Sequence, residues 1–552
     1  MSHFVDRILG NLEAWPDRIF AAEVHGKRLV STEGRRLRAL VEIARHGLRD
    51  RGVVAGDRVV LVAPNSTRWI AIDLAILAEG VTVVPLYARQ DPKELAGMIR
   101  DADPKLVITA DETLRASIQP HVGGEVPFTL LPELFSSAAP SEHEPARRLA
   151  DDHVVTIIYT SGSSGEPKGV MTNVANVEHM LPVLDVKLRE LSGVPGGSDR
   201  VFHYLPFCFA GSRMVLWGCL FRSNGILLST SLENLAEEIQ TARPEYFLNV
   251  PALLERIKNG VEKKLAERPY PIRAGYAEAI EAWRRLTAAK AGKGEARKRD
   301  ELIVAAAKRV IFRAIRKQIG EQLKGLVCGS APLPEEVQRW FVELLEIPVF
   351  QVYGLTETTA IVTIDRKDAV VPGRVGHAIR DVEMKLGEDG ELLVRGLNIF
   401  PGYFRREEAS RAARTDDGWF KTGDQCTIDE RGNLAIIGRV KNLLVPTSGH
   451  NVAPEPLEER VLQHVPGVEQ AVVIGHARPW LAVIVTGNVE PSALDAALEK
   501  VNEGLPHYRR LRKAFVAKEK LTPENGLLTA NQKLRRSAIE RHFAKEIDAL
   551  YG

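Results

Sequence analysis

Val154-Val155-Thr156-Ile157-Ile158-Tyr159-Thr160-Ser161-Gly162-Ser163-Ser164-Gly165-Glu166-Pro167-Lys168-Gly169 decides the reading of this chain. An apolar run of β type leads straight into hydroxyls and glycines closed by a lysine. Glycines let the backbone turn its N–H groups toward one point. Consecutive inward N–H groups make a concavity for an anion. The serine and threonine hydroxyls add donors, and Lys168 adds a full charge. Such a loop suits the phosphates of a nucleotide. A flexible Gly/Ser surface loop is the plainer alternative. The preceding strand, the lysine at the loop's end and the stiffening Pro167 weigh against it. The G-x-x-x-x-G-K-[ST] spacing is missing, which disfavours an ordinary P-loop NTPase.

The flanking sequence reads as α/β. Arg58 to Ala63 is an apolar run, Thr67 to Glu79 is helical, and Val81 to Leu86 is a second apolar run. Strand, helix, strand at this spacing is a βαβ unit. Lys105 to Thr109 repeats the strand type. Continuous apolar runs fit parallel strands covered on both faces. Phosphate sites in such sheets lie at the carboxyl ends of strands, where Thr160 to Lys168 falls. From about Ala252 to Gly320 the chain is helical in composition and basic. After Asp381 short β-like runs dominate: Val382–Leu386, Glu391–Val394, Gln425–Ile428 and Leu434–Ile437. Beyond Asn442 come a Glu-rich helix (Glu455–Gln463), strands at Val468–Gly475 and Trp480–Thr486, a helix at Pro491–Gly504 and a basic tail.

Composition sets bounds. The 552 residues exceed a single hydrophobic core. Lys+Arg of 74 against Asp+Glu of 72 gives a net charge of +2, no argument for nucleic-acid binding. Met1 to Phe20 carries Asp6, Arg7, Glu13 and Asp17, so no secretory signal is expected. No apolar run approaches the ~20 residues that span a bilayer. Cys208, Cys219, Cys328 and Cys426 fit no zinc or disulfide pattern and read as buried thiols in a reducing cytosol. A cytoplasmic protein is expected.

Six motifs, in one order, resemble those of the adenylate-forming enzymes: acyl-CoA synthetases, luciferases and peptide-synthetase adenylation domains. The first is the Thr160–Lys168 loop, which in the family holds phosphates and here supplies Thr160, Ser161, Gly162, Ser163, Ser164, Gly165 and Lys168. The segment Gly329-Ser330-Ala331 resembles the family's border of adenine and acyl carboxylate. In Gln351-Val352-Tyr353-Gly354-Leu355-Thr356-Glu357 the tyrosine offers a flat face for the base. The family's glutamate there is a hard oxygen ligand for Mg²⁺, and Thr160 is the second metal candidate. Gly418 to Asp424 resembles the ribose-binding motif, with Asp424 taking both hydroxyls; a β-turn aspartate is the plain alternative. Gly438-Arg439-Val440-Lys441-Asn442 matches the family hinge: Arg439 reaches ribose or α-phosphate and Lys441 is the pivot. Near the end, Asn531-Gln532-Lys533-Leu534 resembles the terminal lysine motif. Lys533 would then join Thr356 and Glu357 as catalytic residues, stabilising charge that grows on the α-phosphate.

The resemblance implies an α/β fold of layered subdomains plus a β-rich lobe, with a small mobile α+β C-terminal domain. Its expected limits are 1–438 for the N-terminal domain, 439–442 for the hinge and 443–552 for the C-terminal domain. It implies ATP and Mg²⁺, with CoA as co-substrate. A carboxylate attacks the α-phosphate to give an acyl-adenylate, and CoA sulfur then displaces AMP. The helical stretch between Val250 and Gly325 resembles the long-chain acyl-CoA synthetase subgroup, so a medium- or long-chain fatty acid is expected. Loading of a carrier protein, or an aryl or other acid, is the alternative. Some residues depart from that subgroup: Phe209 stands for a common histidine, Ser212 for an acidic residue, Thr172-Asn173 for Leu-Thr-His, and Asn451 for an arginine. A non-catalytic nucleotide-binding scaffold is a different class; the intact set Lys168, Glu357, Asp424, Arg439 and Lys533 argues against it. The basic helices from Arg284 to Lys317 allow weak peripheral contact with the inner face of an anionic membrane, at ~1 kcal/mol per near-surface cation. A solvated charged face is the plainer reading. The sequence gives no oligomeric state.

Overall fold

A computed structural model describes residues 3–136, 143–161, 167–193, 197, 199–528 and 534–552, with the backbone alone at 161, 192, 491–493 and 495. The chain divides into two compact units: residues 1–383 with 395–412, and residues 384–394 with 413–552.

The first unit holds two sheets. One has six strands in the order Phe128–Leu130, Leu106–Thr109, Arg58–Val62, Thr82–Leu86, Val154–Ser161, Pro167–Asn173. The first five run parallel. The last two form an antiparallel hairpin in which Thr160 faces Lys168. Val60, Val62, Val84, Val107 and Ile157 bury a shared core with the helix Pro92–Ala102. Asp91 caps that helix by accepting from the amides of Lys93 and Glu94. The second sheet has nine strands, in the order His377–Ala378, Thr363–Ile364, Val349–Tyr353, Gly325–Cys328, Tyr246–Asn249, Val201–His203, Ile226–Ser229, Ile19–His25, Arg28–Glu33. Its six central strands, from Val349–Tyr353 to Ile19–His25, pair in parallel. The helices Tyr270–Lys290 and Lys298–Ala307 cover it, through buried Ala279, Trp283 and Val304.

The second unit carries most of a four-stranded sheet, Val382–Leu386, Glu391–Gly396, Phe420–Ile428 and Leu434–Arg439. It also has a three-stranded sheet: Val468–Ile474 antiparallel to Leu481–Gly487, which is parallel to Leu511–Val516. One core sets Leu457, Val461, Leu494 and Leu498 against this sheet; a second sets Ile539, Phe543 and Ile547 against it. Arg536 donates to both oxygens of Glu458 at 2.8 and 2.7 Å, tying the helix Arg536–His542 to Glu455–His464. The basic tail of the sequence reading is therefore a strand and two helices, because its apolar residues Leu511, Ile539, Phe543 and Ile547 are buried. The four cysteines are buried. Burial pushes the Cys208 and Cys219 thiols up to about 12, so neither is poised as a nucleophile. No helix among the described residues is long and apolar enough to cross a membrane.

Candidate active site

In the first unit, parallel strands end where the motif residues lie. Val349–Tyr353 ends at Gly354, followed by a 3₁₀ turn at Thr356–Thr358. A Cβ at Gly354 would lie 2.1 Å from the Ala360 carbonyl oxygen, so the turn folds back on itself only with glycine there. Thr359 and Ala360 then sit in the left-handed region (φ 49° and 77°), and so does Ser330 (φ 73°). Non-glycine residues in that region each cost about 1–3 kcal/mol and cluster at functional sites. Asn398 holds the turn: its side-chain amide donates to the Ile361 carbonyl at 3.0 Å, and its own carbonyl accepts from the Thr359 hydroxyl at 2.8 Å. Gly329 lies against the neighbouring strand, where a Cβ would meet Val352 Cγ2 at 2.6 Å. Gly329–Ala331 and Gln351–Leu355 therefore line adjacent strand ends. Tyr353 is 7% exposed.

Tyr403 connects this turn to the loop after Val154–Ser161. Its hydroxyl donates to Glu357 Oε1 at 2.9 Å. Lys168 Nζ lies 5.3 Å from the centroid of its ring. The Phe400 amide donates to the Glu357 carbonyl at 2.8 Å, and the Phe404 amide to the Gly169 carbonyl at 2.8 Å. The lysine and the glutamate of two motifs almost two hundred residues apart thus flank one tyrosine. Glu357 forms no ion pair among the described residues. Thr160 is half-buried at the end of its strand, opposite Lys168. Gly162, Ser163, Ser164, Gly165 and Lys533 lie outside the described residues, as does the side chain of Ser161.

In the second unit Asp424 and Arg439 face each other across a hairpin. Arg439 Nε lies 2.7 Å from Asp424 Oδ1, and Arg439 also donates to the Thr422 carbonyl at 3.2 Å. Asp424 sits inside the strand Phe420–Ile428, so the β-turn alternative for this motif is wrong; the pairing with Leu434–Arg439 takes up its backbone. Lys441 is exposed in a 3₁₀ turn at Val440–Asn442. Elsewhere in this unit a cavity of about 440 Å³ is lined by Trp480, His507, Tyr508, Arg510, Arg512 and Lys513, among others.

Sequence reasoning missed Tyr403, whose Pro-Gly-Tyr-Phe context carries no chemical signature. It also missed Asp365. This buried carboxylate accepts from the Gln351 amide at 2.7 Å, and burial pushes its pKa up to about 7. Arg213, beside Ser212, is fully buried and pairs with Asp73 at 2.7 Å, a carboxylate from the helix Thr67–Ala78. Glu42, His46 and Glu144 come close enough to hold a metal ion, but Arg38 and Arg45 pair with Glu42 and Arg49 with Glu144.

Two largely parallel sheets with motif residues at their strand ends fit an adenylate-forming fold. The chain belongs to the AMP-binding enzyme family: that family's model matches residues 11–404, and its C-terminal domain model matches residues 441–552. It is similar to a long-chain-fatty-acid–CoA ligase, FadD15, of Mycobacterium bovis, with 29% identity over 93% of this chain and 91% of the relative. It is also similar to a long-chain-fatty-acid–[acyl-carrier-protein] ligase, AEE15, of Arabidopsis thaliana, with 26% identity over 92% of this chain and 81% of the relative. Among solved structures, an O-succinylbenzoate CoA synthetase of Bacillus subtilis with ATP and magnesium superposes with a TM-score of 0.74, at 21% identity over 96% of this chain and 98% of that one. In class the chain is an adenylate-forming acid–CoA ligase.

Proposed function

We propose that this chain activates a medium- or long-chain fatty acid with ATP and passes the acyl group to CoA. A carboxylate oxygen attacks the α-phosphorus and the bond to pyrophosphate breaks. The CoA sulfur then attacks the acyl carbon, and the bond to AMP breaks. The observation that carries the reading is the meeting of Lys168 and Glu357 on either side of Tyr403. A cation for phosphates and a carboxylate for their metal thus stand against one tyrosine. Catalysis of such transfers is mainly positioning and charge stabilisation.

Each side chain has a part in this reading. Thr160 to Lys168 holds the phosphates. Gly329, Ser330, Ala331 and Gln351 to Leu355 bound the base. Asp424 and Arg439 take the ribose, and Lys533 stabilises charge on the α-phosphate. Mg²⁺ fits Glu357, a hard oxygen donor with no paired cation among the described residues, with Thr160 as the second candidate. When bound it neutralises phosphate charge. Thr356 starts the turn that presents Glu357. Lys441 is the pivot that lets residues 443–552 turn against residues 1–438 between the two half-reactions.

The fatty acid and the CoA acceptor rest on the naming of FadD15 and on the cavity beside Tyr508. Arg510, Arg512 and Lys513 around it suit the several phosphates that CoA carries, where a phosphopantetheine arm has one. The carrier-loading relative supports the second reading, transfer to a carrier protein. A panel of acids assayed for AMP release, with and without CoA, tests the proposal. Turnover should peak with medium or long chains and should need CoA. Preference for aryl acids, or acyl loading of a carrier with no acyl-CoA formed, overturns it. Peripheral membrane contact is a further part of the reading. Outward on residues 302–317 lie Leu302, Ala305, Ala306, Val310 and Ala314 together with Arg309, Arg313 and Lys317, and this row has no carboxylate.

A further inference from the structure

Tyr403 stands in the site without belonging to any motif read from the sequence. We propose that it is a positioning residue: its hydroxyl aims the Glu357 carboxylate at the metal, and its ring face holds Lys168 beside the same phosphates. This rests on the reading of Glu357 as the metal-holding carboxylate.

The geometry allows the tyrosine little freedom. Its amide donates to Ser410 Oγ at 2.8 Å. Its ring meets Phe400 edge-on at 4.8 Å. Val170 bridges it in antiparallel fashion, and the Met171 amide donates to the Gly402 carbonyl at 3.2 Å. Past the ring, Arg405 pairs with Asp103 at 2.8 Å and Arg406 with Asp101 at 2.7 Å. Asp101 also accepts from the Tyr159 hydroxyl at 2.7 Å. The segment 400–406 is therefore a strap clamped to the phosphate-loop hairpin on one side and to the Glu357 turn on the other. A hydroxyl so fixed can select one carboxylate rotamer. It donates to Oε1, which leaves Oε2 for a cation. Neutral phenol suits this better than lysine or arginine, because a cation at 2.9 Å would neutralise the charge that draws the metal. The ring face, electron-rich, attracts the Lys168 ammonium without removing its charge.

A purely structural tyrosine would change stability and leave metal binding alone, so the test reads metal binding directly. Mn²⁺ binding to the full chain with the non-cleavable α,β-methylene analogue of ATP is followed by electron paramagnetic resonance. Affinity for the analogue without metal is measured by calorimetry. Tyr403→Phe, which keeps the ring, should raise the Mn²⁺ Kd roughly tenfold, the size of one lost charge-assisted hydrogen bond, and leave metal-free nucleotide affinity unchanged. Tyr403→Leu should weaken metal-free nucleotide binding as well, because Lys168 loses its platform. Adding Tyr403→Phe to Glu357→Gln should cost nothing further, since the hydroxyl acts through the carboxylate. A Tyr403→Phe Kd within twofold of the parent, beside a weakened Glu357→Gln, overturns the proposal; so does an additive double variant. If Glu357→Gln itself binds Mn²⁺ normally, the metal reading of Glu357 fails, and this proposal with it. Should Tyr403→Phe not fold, Glu357→Asp reads the contact from the other side. Drawn back from the phenol, that carboxylate should lose as much Mn²⁺ affinity as Glu357→Gln, and parent affinity there overturns the idea.

Discussion

The two units carry their motif residues on opposite plans. In the first unit Lys168, Glu357 and Tyr403 come from three distant segments, and Glu357 meets no cation among the described residues. In the second unit Asp424 and Arg439 sit opposite each other on one hairpin and pair at 2.7 Å. The first plan depends on tertiary packing and keeps its carboxylate available. The second is fixed by strand register and arrives already neutralised. A ligand entering the first meets a charge in need of a partner, whereas a ligand entering the second must share one.

The largest effect expected tests a residue outside this contrast. Lys533→Ala should lower adenylation about a thousandfold, the scale of a lost transition-state donor, with ATP affinity little changed. An unchanged pyrophosphate-exchange rate refutes its role. Next comes the contrast itself. Glu357→Gln should reduce acyl-adenylate formation about a hundredfold, whereas Asp424→Asn should raise the KM for ATP about tenfold and spare kcat. Equal losses in kcat would erase the distinction between the available carboxylate and the paired one. Third, Lys441→Pro should slow thioester formation about tenfold and adenylation less than twofold, because φ is locked at the pivot. Equal losses would argue against a pivot there.

The fourth expectation concerns pH and the first unit. The Asp365 carboxyl titrates at about 7 in the fold, above the ordinary carboxylate range. Between that range and about pH 7 the folded chain binds the extra proton, so this group's contribution to stability falls as pH rises through the window. Asp365→Asn should therefore flatten the decline in Tm between pH 5 and pH 8 by roughly a few degrees. A variant with the parent's slope would show that Asp365 is not the group responsible. The smallest effect is at the surface. Liposomes of anionic lipid at low salt should bind the chain a few-fold more than neutral ones, and Arg309→Glu/Arg313→Glu should abolish the difference. No excess over neutral lipid removes the membrane contact.

What could be read in advance follows from how far apart the deciding residues lie. Apolar runs such as Arg58–Val62 and Thr82–Leu86, with a helix between them, announce a parallel layer through local pattern alone. The Asp424 motif was legible as chemistry but not as structure. T-G-D composition suggests a turn, and the partner strand Leu434–Arg439 overrules that preference. The tail after Gly504 read as merely basic, because its apolar residues Leu511, Ile539, Phe543 and Ile547 are thinly spaced and gain meaning only by packing on the small sheet. Tyr403 was illegible. Its role is a distance to Glu357 and to Lys168, and no local pattern encodes a contact across 46 or more residues.

From its sequence alone this chain is an α/β nucleotide-handling protein with glycine-rich phosphate donors, a hard carboxylate and a set of cations, because backbone freedom, donor count and charge belong to residue types. Tertiary structure alone decides which carboxylate meets no cation among the described residues and which is paired. It decides which ring separates lysine from glutamate, and where the backbone is held in left-handed strain. Those properties are distances between segments brought together by burial of apolar surface, and only the finished packing fixes them.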